Sequence, residues 1–177
     1  YSPPWPISLL LSPVILQHYN IIYRVLLQLE NAQKSLNDVW LTLSYLRKSA
    51  VRTNKKYLAA LHTAACLHSQ MAFVVHLALH QVQIQLIERG FTHLREAITT
   101  TKSFHRTKAA HKDFLNDVLQ FPFLAHLPLA RCLENITGQC TRFVAFAKGE
   151  LTATKTNSID PTESLQRFTR EFVRQVQ

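Results

Sequence analysis

Apolar side chains recur along the first third of the chain in steps of four and three: Ile15, Tyr19, Ile22, Leu26, Leu29, then Gln33, Leu36, Trp40 and Leu43. That is a heptad seam, and it predicts one helix, roughly 40 Å long, with one buried stripe. Val25, Leu27, Val39 and Leu41 widen the stripe, which fits a helix of a bundle better than an isolated two-stranded coil. Gln33 interrupts it. Ser12 before Pro13 reads as the start, with serine as N-cap and proline at the first helical position.

A second long helix is predicted over 59–88. One face carries Leu61, Ala65, His68, Ala72, Val75, Leu79, Val82 and Leu86, and another carries Ala64, Leu67, Met71, Val74 and Ala78. Apolar residues on two faces imply burial on more than one side. Gly90 follows as the expected C-terminal cap. The polar, basic stretch from Arg47 to Lys56 between these helices reads as a loop. Shorter helices are expected over 91–98, closed by Thr99, Thr100 and Thr101, and over 104–120, broken by Pro122 and Pro128. A fifth spans 129–148, stopping near Gly149. After a polar linker at 149–159, Asp160, Pro161 and Glu163 carry the features of a helix start with a capping box. Leu165, Phe168, Phe172 and Val176 form the apolar face of a terminal helix over 160–177. Residues 1–12, with Trp5 among prolines and serines, read as an extended lead-in. The fold class is therefore all-α: a bundle of long and short helices over 13–148 behind a short Pro/Trp segment.

Composition agrees. Apolar residues make up 47% and charged residues 18%, which argues against disorder, and three glycines among 177 residues leave few tight turns for a sandwich or barrel. Tyr1 as first residue and Met71 as sole methionine read as part of a longer protein. Cys66, Cys132 and Cys140 are too few for a disulfide framework and are expected to be small buried hydrophobes in a reducing compartment. No uninterrupted apolar run reaches membrane-spanning length and no cleavable signal pattern is present, so the chain reads as cytosolic, with no membrane partner.

The net charge of +9 allows an acidic partner or balance by the rest of a larger protein. The densest basic sets are 47–56 and the stripe Arg167, Arg170, Arg174. The first has no aromatics among its basic residues, Phe168 and Phe172 of the second belong to the apolar face of the terminal helix, and neither set lies in a groove-entering motif. A basic helical nucleic-acid-binding module is thus the alternative function, and a solvated face or a contact to an acidic protein is preferred. His76 and His80 have a chelating spacing, but Leu77 stands where the zincin motif needs glutamate, and no third ligand is visible. Gly-rich phosphate loops, nucleophile elbows and paired acidic motifs are missing. The expectation is a non-enzyme with no cofactor, no metal and no small-molecule substrate.

Four segments, in order, carry a resemblance. Tyr1, Trp5, Pro6 and Ile7 are similar to a tyrosine followed by a Trp-Pro-Leu element. Tyr19 to Leu27, with Tyr23, Arg24, Leu26 and Leu27, resembles an aromatic, basic, Leu-Leu helix running on to Trp40. Met71, Phe73 and Val74, continued by Ile87, Glu88, Phe91 and Leu94, match a Met…Phe-Val stretch. Ala110, His111, Phe114 and Leu115 resemble an Ala-His-x-x-aromatic-Leu signature. Together, over 1–147, they are similar to the C-terminal domain of γ-tubulin complex components. The chain departs from the pattern at His80 and Gln81, where the family often has adjacent aromatics, and its loop between the first two helices is short; both mark a diverged member. The resemblance implies a helical domain that binds γ-tubulin within the γ-tubulin ring complex and supports microtubule nucleation. It further implies lateral contacts to other γ-tubulin complex components through a missing N-terminal half, and a cytoplasmic, centrosomal or other microtubule-organising location.

The matched positions are mostly core positions. Tyr19, Leu26, Phe73 and Phe114 are read as packing, and Trp40 and Phe114 as buried aromatics. Candidate partner-binding residues are instead polar side chains off the buried stripes. These are Arg24 beside the first seam, Arg89 and His93 near Gly90, and His111 and Lys112 at the start of a matched motif; for His111 a structural hydrogen bond is the competing role.

Overall fold

The heptad seam is realised as a single helix, α1, from Pro13 to Ala50. In the computed structural model, which describes residues 3–50, 55–101, 103–153 and 161–176, every other element is helical too. These are α2 (Lys55–His80), a π-helical segment (Gln81–Glu88), α3 (Arg89–Thr100), α4 (Phe104–Leu119), α5 (Pro122–Ala125), α6 (Leu127–Ala153) and α7 (Thr162–Val176). No strand occurs among the described residues. The chain divides into two units, one made of Tyr1–Gln28 and Ala78–Ala130, the other of Leu29–Leu77 and Arg131–Gln177.

In the second unit the seam is dry. Leu29, Leu36, Val39 and Leu43 are fully buried, as are Leu61, Leu67 and Met71 of α2 and Phe143, Ala147 and Leu151 of α6. Polar ties fix the helices at named points. His68 of α2 donates through Nε2 to the Leu36 carbonyl of α1 at 2.9 Å. Gln33, the residue that interrupts the seam, meets Nδ1 of His76 at 3.4 Å, so the break in the apolar pattern is a polar contact between two helices. The Tyr57 hydroxyl donates to the Leu151 carbonyl at 2.7 Å. α7 is held by Phe168, whose ring meets Phe143 edge-on (6.3 Å) and Phe146 at a tilt (5.4 Å), with Leu165 and Phe172 buried beside it.

In the first unit Ser12 accepts the Ile15 amide at 3.4 Å, the expected N-cap of α1. The lead-in is not simply extended: Ile7–Leu9 makes a 3-10 turn, closed by Leu10 N–H on the Ile7 carbonyl. Tyr19 of α1 and His111 of α4 share a hydrogen bond of 2.9 Å. α4 packs on α3, stops at Leu119 before Phe121 and Pro122, and hands over to the short α5.

Four expectations need correction. The basic stretch is not a loop throughout: Arg47 and Lys48 lie in the last turn of α1, and Lys55 and Lys56 open α2. Lysine and arginine are good helix formers, and cations suit a helix C-terminus; Arg52 lies outside the described residues. Gly90 does not cap a helix. It sits inside α3 with negative φ, and a Cβ there would stand 2.7 Å from Cε2 of Phe114. Its lack of a side chain serves close helix approach, not chain reversal. α6 runs past Gly149 to Ala153. The glycine costs about 1 kcal/mol in a helix, but the next turn is anchored by buried Leu151 and its bond from Tyr57. Finally, Trp40 is 39% exposed, Phe73 66% exposed and Cys66 exposed; all three lie on the outer side of their helices. Of the expected capping box, Glu163 stands in the first turn of α7 and Asp160 lies outside the described residues.

By length and composition alone, the unbroken helical run Lys55–Thr100 could cross a membrane, which a search for uninterrupted apolar runs does not register. Its most apolar window has 44% of its residues buried inside the protein.

Two outcomes follow from this packing. Phe143→Ala, which empties a fully buried site, is expected to lower stability by about 3–5 kcal/mol in urea unfolding, whereas Trp40→Ala should cost less than about 2 kcal/mol because much of the ring is already in water. Gly90→Ala should lower stability by about 1 kcal/mol, since overpacking against Phe114 outweighs the gain in helix propensity. In a Phe114→Ala background the same change should instead stabilise by up to about 1 kcal/mol. A Gly90→Ala effect of one sign in both backgrounds would show that the Phe114 contact is not what selects glycine.

Candidate partner-binding surface

Of the sequence-derived candidates, Arg89 and His93 are brought together. They lie one turn apart on α3 and line a groove of about 620 Å³. Its base is Gly90, Leu94 and Phe114; the α4 wall carries Asp113 and Asp117, again one turn apart. Neither aspartate is among the sequence-derived candidates. Their i, i+4 spacing was the available signal, visible once α4 was known to pack on α3. A groove with a cationic and an anionic wall differs from the continuous basic channel that tracks a phosphate backbone.

The other candidates lie elsewhere. Arg24 on α1 and Lys112 on α4 are exposed, and neither lines the groove. His111 is 7% exposed. Its Nε2 is engaged by the Tyr19 hydroxyl, and the two rings stack with centroids 5.9 Å apart. Burial pushes the His111 imidazolium down from its ordinary pKa of 6.5 and the Tyr19 phenol up. Both groups are thereby held neutral at pH 7, and one donates to the other across α1 and α4. This is the structural hydrogen bond weighed against a surface role.

A second concave surface lies in the other unit, between α1 and α2. Gln33, Asn37 and Trp40 face His68, Phe73 and His76 around about 580 Å³. Trp40 stacks on His68 (centroids 5.2 Å, planes 26° apart). With Nε2–H given to Leu36, His68 keeps a buried Nδ1 lone pair that has no partner among the described residues. Trp40 is expected in the core from its place on the heptad seam, where an aromatic looks alike whether its outer edge is covered or wet; Phe73 is read as packing from its place in a matched motif and lies off both predicted faces of α2. His76, weighed as a metal ligand, is turned to Gln33.

The basic stripe of α7 is solvated. Arg167 pairs with Glu171 at 3.0 Å, i to i+4, with the arginine side chain 83% exposed; such pairs contribute a few tenths of a kcal/mol. Cys140 is fully buried, and burial pushes its thiol up to about 12, which leaves it inert as a nucleophile.

The model of the family described as "Gamma tubulin complex component C-terminal" matches residues 1–177. The chain is similar to "Gamma-tubulin complex component 4" of Mus musculus and of Homo sapiens, at 28% identity over 154 residues, covering 85% of this chain and 22% of each relative. It is also similar to "Gamma-tubulin complex component 2" of Arabidopsis thaliana, at 22% identity, covering all of this chain and 27% of the relative. Similarity extends to "Spindle pole body component alp4" of Schizosaccharomyces pombe, at 23% identity over 82% of this chain and 19% of the relative. The chain thus spans between a fifth and about a quarter of the length of the curated relatives it matches.

The neutral Tyr19–His111 pair has a consequence in pH. Because the folded state holds His111 below 6.5, the unfolded chain takes up a proton first as pH falls. The stability that neutral His111 contributes is present above pH 6.5 and is lost as pH drops through that value towards the lower folded pKa. In urea unfolding between pH 7.5 and 5.5, His111→Gln, which keeps a hydrogen-bonding side chain, should show a shallower loss of stability than the parent. Equal slopes would contradict the assignment.

Proposed function

We propose, because this chain belongs to the γ-tubulin complex component family, that it is part of one C-terminal domain that holds γ-tubulin in a microtubule-nucleating assembly. The match of the family's C-terminal model from the first residue to the last is the observation that carries this reading. The role is that of a scaffold. Neighbouring components, contacted through parts of the protein beyond this chain, fix the geometry in which γ-tubulins template a microtubule. The location that goes with it is the centrosome or another microtubule-organising centre, in keeping with a relative named as a spindle pole body component.

A non-catalytic role is supported by the nature of the polar clusters. The hydrogen bonds of Gln33, His68, Tyr57 and Tyr19 tie helices to one another, and the relatives are named as components of a complex. The exposed candidates Arg24, Arg89, His93 and Lys112 are the proposed γ-tubulin contacts, with Arg89 and His93 ahead of the others because they share a groove wall with Phe114 at its base. An arginine beside an aromatic floor is the kind of anchor that dominates protein interfaces.

Single charge reversals test the placement: Arg24→Glu, Arg89→Glu and Lys112→Glu in the full-length protein. Exposed reversals change stability by less than about 0.5 kcal/mol, so helicity and melting should be unchanged. Loss of a hot spot weakens binding by about 2 kcal/mol, roughly thirtyfold. Arg89→Glu is expected to show that loss towards purified γ-tubulin. Parental affinity at all three positions would move the contact surface elsewhere and leave the family assignment untouched.

A further inference from the structure

The apolar stripe entering the π-helical segment and the stripe leaving it are out of step by one residue. On the entering side Leu79 and Val82 are buried. Continuing their spacing of three and four along an α-helix leads to positions 86, 89, 93 and 96. The last three are Arg89, His93 and Glu96, and all are exposed. The positions withdrawn from water stand one later in each case: Ile87, Gly90, Leu94 and Ala97, with Leu94 buried and the others half-buried. The segment Gln81–Glu88 lies where the phase slips.

A π turn bonds i to i+5 and so takes up one residue more than an α turn. A surplus residue accommodated in this way leaves the helix beyond it facing as before. We propose that Gln81–Glu88 is a register device: it carries one residue in excess of an α-helix and absorbs it, which keeps Gly90 against Phe114 and presents Arg89 and His93 on the rim of the α3–α4 groove. If the segment became α-helical with all its residues retained, α3 would turn by about 100° and advance about 1.5 Å. Arg89 and His93 would then swing towards α4 in place of Gly90 and Leu94. At Gly90 even a Cβ would stand 2.7 Å from the Phe114 ring, so a long side chain has no room there, and packing on α4 holds the segment in its π form.

Single-residue deletions in the full-length protein, read by hydrogen exchange of the α3 and α4 amides, test this without reference to any partner. Deleting Ile84, which is 37% exposed, should remove the surplus, straighten the helix and leave α3 and α4 protected as in the parent. Deleting Gln83 should do the same, since the excess belongs to the segment and not to one side chain. Deleting Arg95, inside α3, displaces Ala97 relative to Gly90 and should lower protection in both helices at least tenfold. The inference is overturned if both deletions within the π segment lose protection as the Arg95 deletion does, or if the Arg95 deletion is as well protected as the parent.

Discussion

Burial of one stripe of α1 is the interaction on which the rest of the second unit depends. Leu29, Leu36, Val39 and Leu43 have no exposed surface, and full burial of each leucine or valine is worth about 1.5–3 kcal/mol. That gain is available only while α1 is continuous, because a break would put successive seam residues on different faces. The polar ties then select one arrangement among the many an apolar stripe would accept. His68 on the Leu36 carbonyl and Gln33 on His76 fix where α2 stands along α1, and Tyr57 on the Leu151 carbonyl fixes α6. A hydrogen bond adds about 1 kcal/mol to a fold, but a buried donor without its acceptor costs more. Slippage is therefore penalised more strongly than the correct register is rewarded.

What was legible in the sequence follows from this. The seam of α1, the two buried faces of α2 and the Ser12 cap could be read because each is a local pattern with one physical meaning. Gly90 could not, since a glycine near a predicted helix end signals a left-handed cap or a close approach equally well; only the position of Phe114, 24 positions on, decides. Trp40 lies at a position the periodicity assigns to packing, yet periodicity gives a direction and not the width of the neighbour that covers it. The one-residue slip between Val82 and Leu94 was present in the sequence but invisible while the helix was assumed to end at Glu88.

The candidate surface was legible in part for a similar reason. Polar residues off the apolar stripes can be recognised as exposed, and Arg24, Arg89, His93 and Lys112 are. Which of them share a surface depends on how α3 meets α4. That packing gathers Arg89 and His93 opposite Asp113 and Asp117. His111 shows the limit of the approach: a histidine between an alanine and a lysine fits a surface role and a structural hydrogen bond alike, until Tyr19, from another helix, is found bonded to it. The same close packing of small and aromatic residues that makes the groove also sets how its charged walls are presented.

The proposed function is that a helical domain of this family acts by holding γ-tubulin. The most direct measurement is co-precipitation of the purified full-length protein with purified γ-tubulin, without other components present. The account predicts a stoichiometric complex that forms without added nucleotide substrate turnover or nucleic acid. Failure of the folded protein to retain γ-tubulin, together with salt-dependent retention of random duplex DNA, would contradict it and favour the nucleic-acid-binding alternative.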